Sequence, residues 1–438
     1  MMANDTLHVL ALNEINFELV KKYILNDQGS YKGWEKLFSL WQFKTSSENE
    51  YANLEPWIQW VSVYSGKKYH QHGVFRLGSN NIPATQQLFN SLTNKGISVG
   101  AISPINAHID ATDLDYYIPD PWVDDQPDGN LWSKHIHSAL RQTVNDNASG
   151  KISFKSAFTL GCAFVKFGKL KNTKLYLLLI KKALKKQKWA KSLFLDLFLS
   201  DVYLAYNKKH RSNLNWLFLN SFAHIQHHYF FSSKYYDGDK SNAKEVVPLP
   251  LDPIRDAIYV YDQILLNVFK DKRIKNLLAI TALSQVPYNG EKNYYRPRDH
   301  ANLLNRLELS YKEVKPRMTR DFEIVFEDER SLNESYAFLK EMNHNGNYLF
   351  GDFTKTNKKL FITFSYKYII NKEFFVKTLS GKDINIADEF VFIAKKNGEH
   401  CSKGYVASSV KISETEEFNI INLKQVIENF FEQHQSKS

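Results

Sequence analysis

Two cysteines in 438 residues, Cys162 and Cys401, are too few for a disulfide framework, and neither sits in a CxxC or Cys/His finger spacing. Both are expected to be free thiols. No stretch approaches about eighteen consecutive apolar residues, so no membrane-spanning helix is expected. The chain reaches Leu7-His8-Val9-Leu10-Ala11-Leu12 without a basic stretch, a long apolar run or a small-residue cleavage site. A soluble protein of the cytoplasm is the expectation. Short repeats, low-complexity tracts and a Gly-rich phosphate loop are also missing. What is abundant is aromatic residue, 14% of the chain with 30 Phe and 24 Tyr, enough to fill a large core or to line a carbohydrate surface.

The formal charge of +10 is unevenly placed. Between Lys151 and Arg211 fifteen Lys and Arg face only Asp196 and Asp201, a net of +13, which leaves about −3 for the remainder. Apolar residues recur through Phe154, Phe158, Leu160, Phe164 and Phe167, then through Leu175, Leu178, Leu179, Leu193, Leu195 and Leu199, so the segment reads as helices. Its lysines form either a solvated face or a landing strip for an anionic glycan, a phosphorylated substrate or an acidic membrane surface. Sequence-specific nucleic-acid binding is not expected, because no helix-turn-helix or zinc-finger spacing accompanies the charge.

Three imidazoles fall within five residues at His224, His227 and His228. On a helix, positions i, i+3 and i+4 share a face, which can present two rings to one Zn, Fe or Mn ion. The alternative is a helix end whose histidines bond backbone carbonyls.

In chain order, residues 7–12 read as a buried strand ending in Asn13-Glu14-Ile15-Asn16, followed by a helix from Glu18 to Leu25. That is the strand-to-helix turn of an open α/β sheet, and sites lie at the carboxyl ends of such strands. Glu14 is therefore a candidate ligand or base, with helix-start capping as the alternative. Glu55-Pro56-Trp57 opens a second helix that Gly66 ends. A further helix and the strand Ile97 to Ile102 repeat the rhythm.

In order, these segments resemble the alkaline phosphatase superfamily, in particular its phosphodiesterase, nucleotide pyrophosphatase and sulfatase-like branches. The resemblance runs through a strand with an acidic turn, W-x-S/T-x-x-S/T-G followed by H-G-V, and a K-G-x-x-V strand. Asn220 to His224 resembles the family's D-x-x-G-H metal motif, Leu277 to Gln285 stands at its T-S-D-H-G strand, and Gly398 to Gly404 resembles its late G-x-H-x-x-x-G motif. About residues 1–130, 216–290 and 391–410 are covered. The resemblance implies a three-layer α/β/α core and a two-metal site with a Ser or Thr nucleophile.

This chain departs from that pattern. The first metal Asp falls on Asn13 or Glu14, the nucleophile region has no hydroxyl, Asn220 replaces an Asp, and Leu283-Ser284 or Ser284-Gln285 replaces the Asp-His pair. One ion, Zn or Mn, is then expected at His224, His228, His400 and Asn220, or none at all. Glu14 and Glu55 are the expected base or carboxylate nucleophile, and Asn13, Gln59, Ser284, Gln285, Arg296 and Arg298 the substrate contacts. The two arginines are expected to clamp an anion from a loop.

The expected organisation is a core in residues 1–130, 216–320 and 391–438, the last with a closing helix. It is interrupted by a basic helical insertion at 131–215 and an α+β flap at 321–390. Two functions are expected: hydrolysis or transfer on a phosphorylated or sulfated metabolite or glycan, or metal-free binding or altered chemistry in surface polysaccharide production.

Overall fold

The computed structural model describes residues 6–27, 29–145, 154–244, 246–248, 250–317 and 320–435. It divides into two units, one of Met1–Leu140, Phe154–Pro287 and Asn397–Ser438, the other of Arg141–Ser153 and Tyr288–Lys396.

The first unit is built on a mostly parallel sheet. Its strands in chain order begin with β1 (Leu7–Leu12), β2 (Trp41–Ser46), β3 (Val99–Ile102), β4 (Tyr116–Ile118), β5 (Leu214–Leu219) and β6 (Asn276–Ile280). Across the sheet the order is Glu417–Asn419, β2, Lys403–Ser408, β6, β1, β5, β3, β4. Only the Lys403–Ser408 strand runs antiparallel to its neighbours. β1 lies between β5 and β6, with Leu7 level with Leu214 and Asn276. A parallel strand flanked on both sides and covered on both faces is mostly apolar, and β1 and β5 are buried at every position, with His8 and Asn215 as their polar members. Because successive side chains point to opposite faces, Leu10 and Leu12 enter one core cluster and Val9 and Ala11 the other. Helices supply the outer layers: Phe17–Asn26, Trp189–His210, Ser221–Tyr229 and Pro253–Phe269 contribute to the first cluster, and Pro56–Ser65, Leu88–Thr93 and Asn422–Gln435 to the second. The three-layer α/β/α expectation is met.

Of the helical segment expected as an insertion, residues 131–140 and 154–215 group with the sheet. Within it the Trp189–His210 helix is buried along most of its length, and Asp196 and Asp201 both point inward. Asp201 accepts from the Lys169 amide, Asn172 and Tyr176, each at 2.8 Å. Lys151 lies outside the described residues.

In the second unit Asn293–Pro297 pairs antiparallel with Phe390–Lys395. It adds a four-stranded antiparallel sheet, the Glu329–Glu341 helix and its own core around Phe322, Ile324, Ile362 and Phe364.

Three buried histidines in the two units are held neutral. Burial lowers His8, His72 and His300 each to about 4. His8 Nδ1 meets the Tyr203 hydroxyl at 2.7 Å. The Val74 amide donates to His72 Nδ1, so His72 Nε2 carries the proton and donates to Ser62 Oγ at 3.1 Å. A folded-state value below the unfolded one means that the unfolded chain takes up protons first as pH falls. The stability these sites contribute is whole above pH 6.5 and is lost between 6.5 and about 4. The expected outcome is a urea midpoint that drops across that window, with a shallower drop in His8→Gln. Identical pH slopes for the two proteins would contradict it.

Candidate metal centre

At the carboxyl end of β1 the chain bonds to both neighbours in turn. The Asn13 amide donates to the Leu219 carbonyl at 3.1 Å, at the end of β5, and the Glu14 amide to the Thr281 carbonyl at 3.2 Å, beyond the end of β6. The chain then leaves the sheet with Glu14 at φ +57°. Such a conformation costs a non-glycine residue about 1 kcal/mol or more. Side chains hold it in place. Gln226 Nε2 donates to the Glu14 carbonyl at 2.8 Å while its Oε1 accepts from the Asn16 amide, and Asn16 Nδ2 donates to the Gln285 carbonyl at 2.8 Å.

The Glu14 carboxylate is buried. Its Oε1 accepts from Asn13 Nδ2 at 2.8 Å, and its Oε2 accepts from Gln285 Nε2 at 2.6 Å. The same Oε2 stands 3.1 Å from His227 Nε2 and 3.1 Å from His400 Nε2, and those two nitrogens are 3.2 Å apart. Burial works to raise the Glu14 carboxyl. The His400 and His227 imidazoles outweigh burial and hold it well below the usual carboxylate range.

Each partner comes from a different element. His227 lies on the Ser221–Tyr229 helix that follows β5. The start of this helix is satisfied from behind: the Ser221 amide donates to Asp196 at 2.8 Å, and the Phe222 amide to the Tyr261 hydroxyl at 3.3 Å. Asn220 is thereby free to accept from Asn13 Nδ2 at 2.8 Å, and Asn13 Oδ1 takes the Trp60 indole N–H at 2.7 Å. Burial raises the Asp196 carboxyl, and the Ser221 and Tyr261 hydroxyls with the Ser221 and Asn220 amides offset part of that effect. His400 lies on the Gly398–Cys401 strand, which pairs antiparallel with β7 (Ser284–Pro287), His400 opposite Gln285. Glu55 is the residue before the Pro56–Ser65 helix; its Oε2 is 3.7 Å from His400 Nδ1, and it is partly exposed at the rim.

The donor set fits a divalent cation. Three nitrogens, Gln285 Nε2, His227 Nε2 and His400 Nε2, converge on Glu14 Oε2, whereas a carboxylate oxygen offers about two lone-pair sites. One ion taking the two imidazole nitrogens and Oε2 relieves that crowding. An ion bonded at about 2.0–2.1 Å sets neighbouring ligands about 2.8–3.4 Å apart, from octahedral to tetrahedral arrangement. The observed edges of 3.1, 3.1 and 3.2 Å lie in that range. Glu14, His227 and His400 form a ligand triad among the described residues.

The remaining expected residues take other positions. His224 and His228, the rings that the motif order selects, pair with each other at 4.3 Å between centroids. Burial drives His228 well below its ordinary value. The imidazole at Glu14 is His227, because the returning strand is fixed against that turn of the helix by the Asn397 amide donating to the His227 carbonyl at 2.7 Å. Asn220 supports Asn13 and does not join the triad. Gln59 is buried and donates to the Asn53 carbonyl at 2.6 Å. Ser284 is buried opposite Cys401. Arg296 and Arg298 belong to the second unit; Arg296 corrects the loop expectation, since Asn293–Pro297 is a strand, while Arg298 lies just beyond it. Arg296 is buried opposite Val391, and the Arg298 amide donates to the Glu389 carbonyl at 2.6 Å. Three further residues contribute. His227 stands inside the histidine run and Trp60 opens the W-x-S/T-x-x-S/T-G segment, while Gln226 carries no motif.

No family model matches the chain, and no curated protein matches it in sequence. Among solved structures it is similar to phosphonoacetate hydrolase from Sinorhizobium meliloti 1021 in complex with phosphonoformate, at 10% identity and a TM-score of 0.42, covering 97% of this chain and 95% of that one. It is similar to human ectonucleotide pyrophosphatase/phosphodiesterase 5 at 8% identity and a TM-score of 0.42, covering 98% of this chain and 95% of that one. Wild-type alkaline phosphatase PafA matches at 9% identity and a TM-score of 0.40, covering 98% and 96%.

Gly398 is the tightest support of the centre. A Cβ there would lie 2.3 Å from Gln285 Oε1 and 2.8 Å from the Gln226 carbonyl. Gly398→Ala is expected to lower stability by about 1–3 kcal/mol in urea unfolding. A wild-type midpoint would contradict the packing described.

Proposed function

We propose that the chain is a single-ion hydrolase of phosphoryl or sulfuryl esters, with Glu14, His227 and His400 holding the cation. One observation carries this reading: three donor atoms from three separate elements converge at the carboxyl edge of β1. The order of the sequence motifs supports the substrate class. A bound divalent cation supplies positive charge for an anionic substrate oxygen and acidifies water.

The chain's own residues supply the remaining work. Asn13 and Gln285 fix one oxygen of Glu14 each, so the carboxylate cannot rotate away from the two rings. Glu55, at the rim, takes the proton of the attacking water as general base. Direct attack by water is favoured over a covalent intermediate, because the nucleophile region that the motif order selects reads Glu55-Pro56-Trp57 and carries no hydroxyl.

A second reading has its own observation. Glu14 is already fully hydrogen-bonded by protein groups, so a metal-free pocket that binds an organic anion without turnover is the alternative.

Metal analysis of protein purified without a His-tag, after expression with added zinc and manganese, separates the two. The hydrolase reading expects about one equivalent per chain, lost in Glu14→Gln. Glu55→Gln is expected to keep the ion and to lower turnover of an aryl phosphodiester or aryl sulfate by about 100-fold or more. Wild-type protein free of metal would overturn the reading and favour the binding pocket.

A further inference from the structure

The lysine-rich helices of the first unit present an apolar stripe to solvent. On the Thr173–Leu184 helix, Leu175, Tyr176 and Leu179 face the core. Its opposite face carries Leu177 at 60% exposure, Leu184 at 80%, and the exposed Leu178 and Ile180. At 100° per residue, Ile180, Leu184 and Leu177 form one band, and Lys174, Lys181 and Lys185 form the adjoining one. All three lysines are exposed. The preceding Phe154–Phe167 helix repeats the arrangement with Phe158 and Val165, seven residues apart on one face, and Leu170 follows at 91% exposure.

Charge makes this surface selective. Lys166, Lys171, Lys186, Lys188 and Lys191 are exposed as well. The segment's two acidic residues, Asp196 and Asp201, are buried and bonded within the unit. No carboxylate of the segment therefore offsets the lysines at its surface. A second copy of the chain would bring like charge against like. Nucleic acid would match the lysines and leave the leucines in water. A bilayer with anionic headgroups satisfies both sets, with leucines entering the acyl boundary while lysines remain at the headgroups. Neither helix can cross: they have 14 and 12 residues, and no described helix is long and apolar enough to span a membrane.

We propose that this face docks in the plane of an anionic lipid bilayer. The inference stands apart from the cation site. The test is vesicle co-sedimentation of the full chain with phosphatidylcholine alone and with about one-third phosphatidylglycerol added, at low and at physiological salt. Binding is expected only to the anionic vesicles and weaker at the higher salt. The triple variants Leu177→Ser/Leu178→Ser/Leu184→Ser and Lys174→Gln/Lys181→Gln/Lys185→Gln should each lower partitioning by about tenfold or more. Retention of the leucine variant on heparin should equal wild type, which shows that its fold and charge are kept. Equal binding to both vesicle types, no binding to either, or binding indifferent to the leucines would overturn the proposal; the last would mark a general polyanion surface.

Discussion

A buried carboxylate at the end of the central strand governs the arrangement around it. Removing a charge from water is costly unless its oxygens are satisfied, and Glu14 is surrounded by donors from four directions: Asn13, Gln285, His227 and His400. Each of these is in turn fixed. Asn13 is held by Trp60 and Asn220, Gln285 by the Ala223 carbonyl, and His227 by the strand that delivers His400. The left-handed turn at Glu14, the glycine at 398 and the unusual capping of the Ser221–Tyr229 helix by Asp196 and Tyr261 all serve that one carboxylate.

Much of this was legible from residue pattern. The uninterrupted apolar run at 7–12 could only be a strand buried on both faces, and the polar residues after it marked a strand's carboxyl end. Pro56 and Gly66 bounded a helix whose observed limits are Pro56–Ser65. His400 and Glu14, far apart in the chain, were both selected, and they meet at 3.1 Å.

What escaped depends on contacts between distant segments. Periodicity places His224, His227 and His228 within reach of one face, but which ring meets Glu14 depends on the bond from Asn397 to the His227 carbonyl, a pairing across 170 residues. Motif order pointed one turn too early, to His224. Arg296 and Arg298 flank Pro297 and read as a loop; Arg296 lies on a strand that exists only through its partner Phe390–Lys395. Nor could the charge count alone reveal that Asp196 and Asp201 turn inward, or that Lys182 is bonded by Asp256 of the Pro253–Phe269 helix.

The account rests on three atoms sharing one cation. Crystals grown with zinc or manganese, measured on both sides of the metal's absorption edge, test it directly. The account predicts one anomalous peak about 2.0–2.2 Å from Glu14 Oε2, His227 Nε2 and His400 Nε2. A peak between His224 and His228, or none beside Glu14, would contradict it.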